Sequence, residues 1–212
     1  MAALTLILAL LVAQPVFVQA ADVTTREGIV LKTVFKKPAA GKRTLVMLHG
    51  WKAVKEEWGP LITVLEKDGW GYLAYDARPN GPGMKFIDDV GMVLKYLESQ
   101  GIKRDTVSLA GASLGANVIL GYAALTGFKG SLVALSPGLD YGGLKMEPMV
   151  PRVKAQTLMA VSKTDEYAAA SAKELAKLNS NVTLWDDAKT GHGVQMFNPE
   201  FLKRLMAWLN AN

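Results

Sequence analysis

The sequence predicts an α/β protein with a mainly parallel central sheet and helices on both faces of the sheet. Short runs of apolar and β-branched residues alternate with longer segments in which apolar residues recur three and four positions apart. This alternation is typical of parallel sheets, because each helix returns the chain to the starting edge of the next strand. No internal repeat or low-complexity tract interrupts it, so we expect one folded domain.

The first half of the chain contains three predicted strands and two predicted helices. The run Thr44–Leu48 is mostly apolar, which indicates a strand buried on both faces. Gly69 and Gly101 follow the two helical patterns, in the position where glycine commonly ends a helix. The predicted strands cover residues 28–35, 44–48 and 72–75, and the predicted helices cover residues 56–68 and 86–100.

The second half continues the alternation to the end of the chain. Its predicted strands cover residues 107–110, 131–135, 157–161 and 182–185. A helix rich in small residues follows the first of them, and further helices are predicted over 166–178 and 199–209. In sheets of this kind, functional residues gather where the strands end, at their carboxyl edge.

The motif Gly111-Ala112-Ser113-Leu114-Gly115 lies between a predicted strand and a predicted helix. A strand, sharp turn and helix around Gly-x-Ser-x-Gly are typical of a nucleophile elbow, which exposes a serine hydroxyl in a strained turn. The two glycines allow the strand and the helix to approach closely. The alternative is a glycine-rich turn that only packs a helix on a sheet.

A serine hydroxyl is a weak nucleophile and needs a base, and the base needs an acid that fixes its tautomer. The chain has two histidines. His192 lies between two glycines in a predicted loop with no core to satisfy, so we predict that it is the base, whereas His49 orients its own loop. Asp165 is the favoured acid because it is the first carboxylate after a buried strand and begins a predicted helix, where capping of the helix is its alternative role. Other carboxylates at strand ends remain alternatives, namely Asp140, Asp186 and Asp187.

Attack by a serine on a carbonyl group also needs backbone N–H groups that bind the developing oxyanion. We predict that the Leu114 N–H, at the start of the elbow helix, and the Trp51 N–H, after the strand 44–48, form this oxyanion hole. Trp51, Tyr141, Leu144 and Met146 are candidates for a shallow substrate pocket. An apolar packing role is an equally valid interpretation of each of the four.

Composition excludes several other kinds of site. The chain has no cysteine, so a disulfide framework, a zinc-thiolate site and a cysteine nucleophile are all excluded. The net charge of +5 comes from dispersed lysines and arginines, which indicates a solvated basic surface and not a nucleic-acid-binding site. The expected mechanism requires no metal or organic cofactor, and none is predicted.

Residues 1–20 resemble a signal peptide. They contain no charged side chain and include an apolar run, and Val18 and Ala20 are small enough for cleavage after Ala20. The segment departs from the usual pattern because no lysine or arginine precedes the apolar run. We expect cleavage, a mature domain of residues 21–212 without stable membrane association, and a periplasmic or secreted location. An uncleaved membrane anchor is the alternative.

From Thr44 to the final helix, the chain resembles the α/β-hydrolase superfamily. The resemblance rests on an ordered set of motifs: His49-Gly50, Asp76-Ala77-Arg78, Gly111 to Gly115, Asp165 and Gly191-His192-Gly193. It implies the α/β-hydrolase fold and a Ser-His-Asp triad. The size and layout are most similar to small bacterial esterases of the dienelactone-hydrolase-like branch. Two features depart from that branch: dienelactone hydrolases use cysteine, and the loop 79–83 lacks the usual Gly-His-Gly.

A short connection at residues 138–156 argues against a cap domain, because it leaves too few residues before the next strand and contains Pro148 and Pro151. The sequence therefore predicts an open site and a carboxylesterase acting on small, soluble short-chain acyl esters. The alternatives are an acyl thioesterase, an acetyl or feruloyl esterase acting on polysaccharide, a peptidase, and a non-catalytic binding protein on the same fold. The sequence does not predict an oligomeric state.

Overall fold

A computed structural model describes residues 21–81 and 83–212 of the chain, and the predicted signal peptide lies outside the described residues. The strands are β1 Val23–Thr24, β2 Val30–Leu31, β3 Thr33–Lys36, β4 Thr44–Leu48, β5 Gly71–Tyr75, β6 Val107–Ala112, β7 Leu132–Leu135, β8 Asp140–Tyr141, β9 Leu144–Lys145, β10 Thr157–Ser162 and β11 Val182–Ala188. The α-helices are α1 Gly59–Lys67, α2 Gly83–Ser99, α3 Leu114–Thr126, α4 Glu166–Lys177 and α5 Pro199–Ala211. Short 3-10 helices cover Lys55–Trp58, Arg104–Thr106, Val150–Arg152 and Gly193–Met196.

A seven-stranded sheet forms the centre of the molecule, in the order β11-β10-β7-β6-β4-β5-β3. Neighbouring strands are parallel, except that the edge strand β3 is antiparallel to β5. In the central register, Leu48 of β4 pairs with Gly111 of β6 on one side and with Tyr75 of β5 on the other. The strands therefore end close together at one edge, and the predicted mainly parallel sheet is confirmed.

Helices cover both faces of this sheet and bury two apolar layers. Helices α2, α3 and α4 pack on one face, and α1 and α5 pack on the other. The central strand β4 supplies both layers by alternation: Val46 and Leu48 point to the first layer, and Leu45 and Met47 point to the second. Burying each such side chain contributes about 1.5–3 kcal/mol, so a strand that is apolar on both faces belongs at this central position.

The region before β4 differs from the sequence prediction. The predicted single strand 28–35 is divided between two sheets, since β2 pairs with the unpredicted strand β1 in a separate hairpin and β3 pairs with β5. A loosely alternating, β-branched run indicates extended backbone, but it does not show where the hydrogen-bonding partner changes. Among residues 21–81 and 83–212, none of the helices combines the length with the hydropathy that a membrane-spanning helix requires.

A buried ion pair ties the segment after β5 to helix α2. Arg78 Nε and Nη2 donate to the two carboxylate oxygens of Asp89 at 2.7 and 2.6 Å, and Arg78 Nη1 donates to Glu27 at 2.7 Å. The bonds to Asp89 raise the pKa of Arg78 above its ordinary value. Asp76 is closer to Arg78 in sequence than Asp89 is, but Asp76 binds Lys55.

We expect Asp89→Asn to lower the free energy of unfolding by about 3–5 kcal/mol, because it leaves the Arg78 guanidinium buried without its main countercharge. Urea unfolding would measure the change. Asp88→Asn is a matched control on the exposed side of the same helix, and we expect it to change stability by less than about 0.5 kcal/mol. Equal effects of the two substitutions would contradict a stabilising role for the pair.

Candidate active site

Ser113 lies in a sharp turn between β6 and α3, with φ of 54° and ψ of −119°. A non-glycine residue in this region of φ carries strain of about 1–3 kcal/mol, which is typical of functional turns. The flanking glycines make the turn possible. A Cβ at Gly111 would lie 2.2 Å from the Gly115 oxygen, and a Cβ at Gly115 would lie 2.4 Å from the Leu48 oxygen. The segment 111–115 therefore has the geometry of a nucleophile elbow.

Asp165 and His192 meet at the same edge of the sheet. The Asp165 Oδ2 atom lies 2.7 Å from His192 Nδ1, and its side chain makes no cap bond to helix α4. Because Nδ1 donates to this carboxylate, the lone pair of the neutral imidazole is on Nε2. The arrangement thus leaves His192 with a free acceptor nitrogen.

The other carboxylates considered from the sequence are engaged elsewhere. Asp186 pairs with Lys173, and Asp187 pairs with Arg204. The Asp140 carboxylate accepts a hydrogen bond from the Gly143 N–H. Among the described residues, Asp165 is the carboxylate that contacts His192.

Ser113 and His192 line one open cleft of about 470 Å³, together with Trp51 and Gln195. Within the described part of the chain, no hydrogen bond joins Ser113 Oγ to the imidazole. Such bonds are often long in an unliganded site and shorten when substrate binds. The cleft places a strained serine and an oriented imidazole within reach of one small molecule.

The loop after β4 runs directly beside Ser113. A Cβ at Gly50 would lie 3.2 Å from the Ser113 Cβ and 3.9 Å from its Oγ. His49 holds this loop from behind, since its Nδ1–H donates to the Gly50 oxygen at 2.7 Å and its Nε2 accepts from the Ala77 N–H at 2.9 Å. Both ring nitrogens of His49 are therefore occupied by backbone, as expected for a histidine that orients the loop.

Asp76 supports the far side of the same loop. It accepts hydrogen bonds from both the backbone N–H and the Nζ of Lys55, each at 2.8 Å. The bond between Nζ and the Asp76 carboxylate raises the pKa of Lys55. The loop that carries Trp51 is thus anchored to the end of β5 through both Asp76 and His49.

The candidate pocket residues occupy different environments. Trp51 is 55% exposed at the cleft, whereas Leu144 is 2% exposed and Met146 is fully buried in the core. Contrary to the sequence-based expectation, Leu144 and Met146 pack under α3 and do not line the cleft. An apolar residue after a strand gives the same sequence pattern whether its side chain packs in the core or contacts substrate. The pattern alone therefore did not distinguish these two roles.

Tyr141 is half-buried beside the candidate nucleophile. Burial raises the pKa of its hydroxyl to about 12, and the nearby Asp165 adds to the rise, whereas the neighbouring Ser113 side chain opposes it. The hydroxyl is therefore protonated near neutral pH and available as a donor. The Tyr141 ring packs edge-on against Tyr167, with 5.6 Å between the ring centroids.

A second cavity, of about 260 Å³, lies on the other side of the Gly50-Trp51 loop. It is mainly apolar, and sequence reasoning missed two apolar residues of its wall, Phe86 of α2 and Val118 of α3. Phe86 lies on the apolar stripe of α2, and Val118 lies on α3, which is buried on all sides from Leu114 to Ala124, so both have the pattern of ordinary core positions. Within the described residues, no cluster of three metal-binding side chains was found.

Several proteins of known structure share this architecture. No protein-family model and no curated protein sequence matches the chain. Solved structures do match. The Pyrococcus furiosus esterase Pf2001 has a TM-score of 0.77 at 20% identity, over 92% of this chain and 90% of its own. Est1E from Butyrivibrio proteoclasticus has a TM-score of 0.75 at 16% identity, over 91% and 99%. The 2,6-dihydroxy-pseudo-oxynicotine hydrolase has a TM-score of 0.76 at 15% identity, over 91% and 67%.

The chain has the α/β-hydrolase fold. The connection between β7 and β10 is short. It contains only the β8–β9 hairpin and a 3-10 helix, and no cap domain. Identities this low establish the fold and not the activity. The activity has to be argued from the geometry of the site.

Proposed function

We propose that the protein is a serine carboxylesterase that hydrolyses small, soluble short-chain acyl esters. The observation that carries the proposal is the 2.7 Å bond between Asp165 and His192, made at the cleft that the strained Ser113 also lines. The similarity to the fold of Pf2001 and Est1E, both named as esterases, supports the same reaction class.

In the first half of the proposed reaction, Ser113 Oγ attacks the ester carbonyl and its proton passes to His192 Nε2. Asp165 stabilises the imidazolium through Nδ1–H. The Trp51 and Leu114 N–H groups receive the oxyanion, and a single such donor is worth about 3–4 kcal/mol in other hydrolases. The tetrahedral intermediate then collapses as His192 returns the proton to the leaving oxygen, which releases the alcohol.

In the second half, water attacks the acyl-Ser113 carbonyl while His192 Nε2 takes a proton from it. The second tetrahedral intermediate uses the same two N–H groups. It collapses when His192 donates the proton to Ser113 Oγ, which frees the carboxylic acid and restores the enzyme.

The proposed activity is tested with p-nitrophenyl esters from acetate to decanoate and protein of residues 21–212. We expect hydrolysis that is fastest on the short esters and falls along the series. Failure to hydrolyse any member of the series would contradict a carboxylesterase of this substrate class.

A feruloyl or acetyl esterase acting on polysaccharide is the second candidate. It is favoured by the exposed Trp51 at the cleft, which offers a ring face to an aromatic acyl group or a sugar, and by the structure of Est1E with ferulic acid bound. Release of ferulate or acetate from plant polysaccharide would distinguish it from an esterase of small soluble esters.

Export to the periplasm or outside the cell, through residues 1–20, is also part of the proposed function. N-terminal sequencing of the exported protein checks it.

The second cavity is the proposed site of the acyl chain. His192 must reach the leaving oxygen, so the alcohol belongs in the cleft that His192 lines, and the acyl chain extends past the Gly50-Trp51 loop towards Phe86 and Val118. We expect Phe86→Ala to raise kcat/KM for octanoate relative to acetate, by about 4-fold for each methylene newly accommodated. Chain-length profiles of the wild type and the variant measure this effect.

The matched control for that prediction is Phe128→Ala. Phe128 is also buried in the layer under α3, but it precedes β7 and therefore lies at the opposite edge of the sheet. Both substitutions remove a buried ring and lower stability, by about 3–5 kcal/mol. The acyl chain would have to bind elsewhere if Phe86→Ala left the chain-length profile unchanged, or if both variants shifted the octanoate-to-acetate ratio of kcat/KM equally.

A further inference from the structure

Two buried serines bind the backbone on either side of His192. The Ser136 Oγ accepts a hydrogen bond from the Gly193 N–H at 2.9 Å. The Ser162 Oγ donates to the Gly191 oxygen at 2.6 Å. Both serines are fully buried, at the ends of strands β7 and β10, so the histidine loop is fastened to the sheet at two points.

Ser136 has a backbone conformation that favours glycine. Its φ is 50°, and among the described residues only Lys52 and Ser113 share a positive φ without being glycine. A glycine would adopt this conformation without strain. Serine differs from glycine by its hydroxyl, and the Ser136 hydroxyl accepts a hydrogen bond from the Gly193 N–H. The strained backbone of Ser136 therefore occurs together with a hydrogen bond from the histidine loop to its hydroxyl.

The two glycines beside His192 do not by themselves fix its position. Gly191 and Gly193 have φ values of 103° and 58°, so the histidine is flanked by two residues with wide backbone freedom. The His192 side chain is 42% exposed, and its backbone N–H donates to the Gln195 side chain at 3.2 Å. Few contacts other than the Asp165 bond therefore fix the imidazole, and its position depends on where the backbone is held.

We propose that Ser136 and Ser162 are positioning residues that hold the histidine loop so that His192 Nδ1 meets Asp165 while Nε2 is presented to Ser113. The proposal rests on the proposed esterase function. Ser162 ends β10, and Asp165 follows it in the turn before α4. The same strand end therefore fixes both the carboxylate and one side of the loop that carries its imidazole partner.

This role predicts a specific kinetic defect. An imidazole displaced by about 1 Å transfers protons poorly, and such displacements cost about 100-fold in rate. We expect Ser136→Gly and Ser162→Ala each to lower kcat by about 10- to 100-fold, with KM changed by less than about 2-fold. The defect should be larger for ethyl butyrate than for p-nitrophenyl butyrate, because p-nitrophenolate leaves without being protonated and ethoxide does not.

Ser108→Ala is the matched control. Ser108 is also fully buried and its hydroxyl bonds to the Ser131 hydroxyl at 2.9 Å, but both lie at the starting edge of the sheet, away from His192. Ser136→Gly removes backbone strain along with the hydroxyl, so this variant should fold. Thermal unfolding of all three variants shows how much of any loss in rate reflects stability.

A spectroscopic readout separates this proposal from the esterase activity itself. The chain has two histidines, so labelling with ¹⁵N-histidine gives two imidazoles, and a His49→Gln variant assigns them. We expect His192 to be a single Nδ1–H tautomer in the full chain and in Ser108→Ala, and a mixture of tautomers in Ser136→Gly and Ser162→Ala. This result would stand even if the wild type hydrolysed no ester.

Two results would overturn the proposal. One is a wild-type His192 spectrum in both Ser136→Gly and Ser162→Ala. The other is a kcat loss in these variants no larger than in Ser108→Ala, with the same ratio of ethyl to p-nitrophenyl ester rates as the wild type. If the wild type has no esterase activity but the tautomers shift as expected, the proposed function fails and the positioning role remains.

Discussion

Replacing Ser113 with alanine is expected to lower kcat/KM for p-nitrophenyl butyrate by at least about a thousandfold. The variant keeps the cleft, the Asp165–His192 bond and the backbone N–H groups, but it has no oxygen to form the acyl-enzyme. Residual activity over water comes from binding and the oxyanion hole alone. Steady-state hydrolysis by wild type and variant, at equal folded concentration, measures the loss.

Thermal unfolding controls for misfolding of this variant. Alanine at a φ of 54° keeps the strain that serine carries there, so we expect similar stability for the two proteins. A Ser113→Ala protein that is folded and retains wild-type activity would mean that another group attacks the ester.

The second large effect is expected for Asp165→Asn, which should lower kcat by about ten-thousandfold. The carboxylate accepts the Nδ1–H of His192 and so leaves Nε2 free as the base, whereas an asparagine amide can donate to Nδ1 and place the proton on Nε2. The corresponding change in serine proteases leaves the geometry intact and has an effect of this size. The kcat of the purified variant is the measurement.

Asp140→Asn and Asp186→Asn are matched controls, since both carboxylates were alternatives from the sequence and neither contacts His192. We expect each to retain kcat within about 2-fold. A larger loss in either control than in Asp165→Asn would identify a different acid.

Much of this architecture could be predicted from the sequence because the signals were local. The elbow motif, the glycines around His192 and the apolar run of β4 each determine their own backbone conformation. Asp165 could be favoured because the first carboxylate after a buried parallel strand lies near the carboxyl edge of the sheet, where the structure places it against His192.

The features that escaped prediction depend on which distant segments meet. Arg78 pairs with Asp89 and not with Asp76, since helix α2 brings Asp89 to the guanidinium, and no spacing in the sequence shows that approach. Leu144 was a candidate for the substrate pocket and Phe86 was not, but packing places Phe86 at a cavity wall and Leu144 in the core away from the cleft. The hydrogen bonds of the Ser136 and Ser162 hydroxyls could not be predicted, because their partner, the loop 191–193, is distant from both serines in sequence.

The central claim is that Ser113 is a nucleophile activated by His192 and Asp165. Intact-mass measurement after reaction with a small fluorophosphonate tests it directly, because the serine oxygen displaces fluoride and remains bonded to phosphorus. We predict one adduct per chain, located on Ser113 by peptide mapping, absent in Ser113→Ala and formed at least about a hundredfold more slowly in Asp165→Asn. An unmodified wild-type protein, or an adduct on any other residue, would contradict the claim.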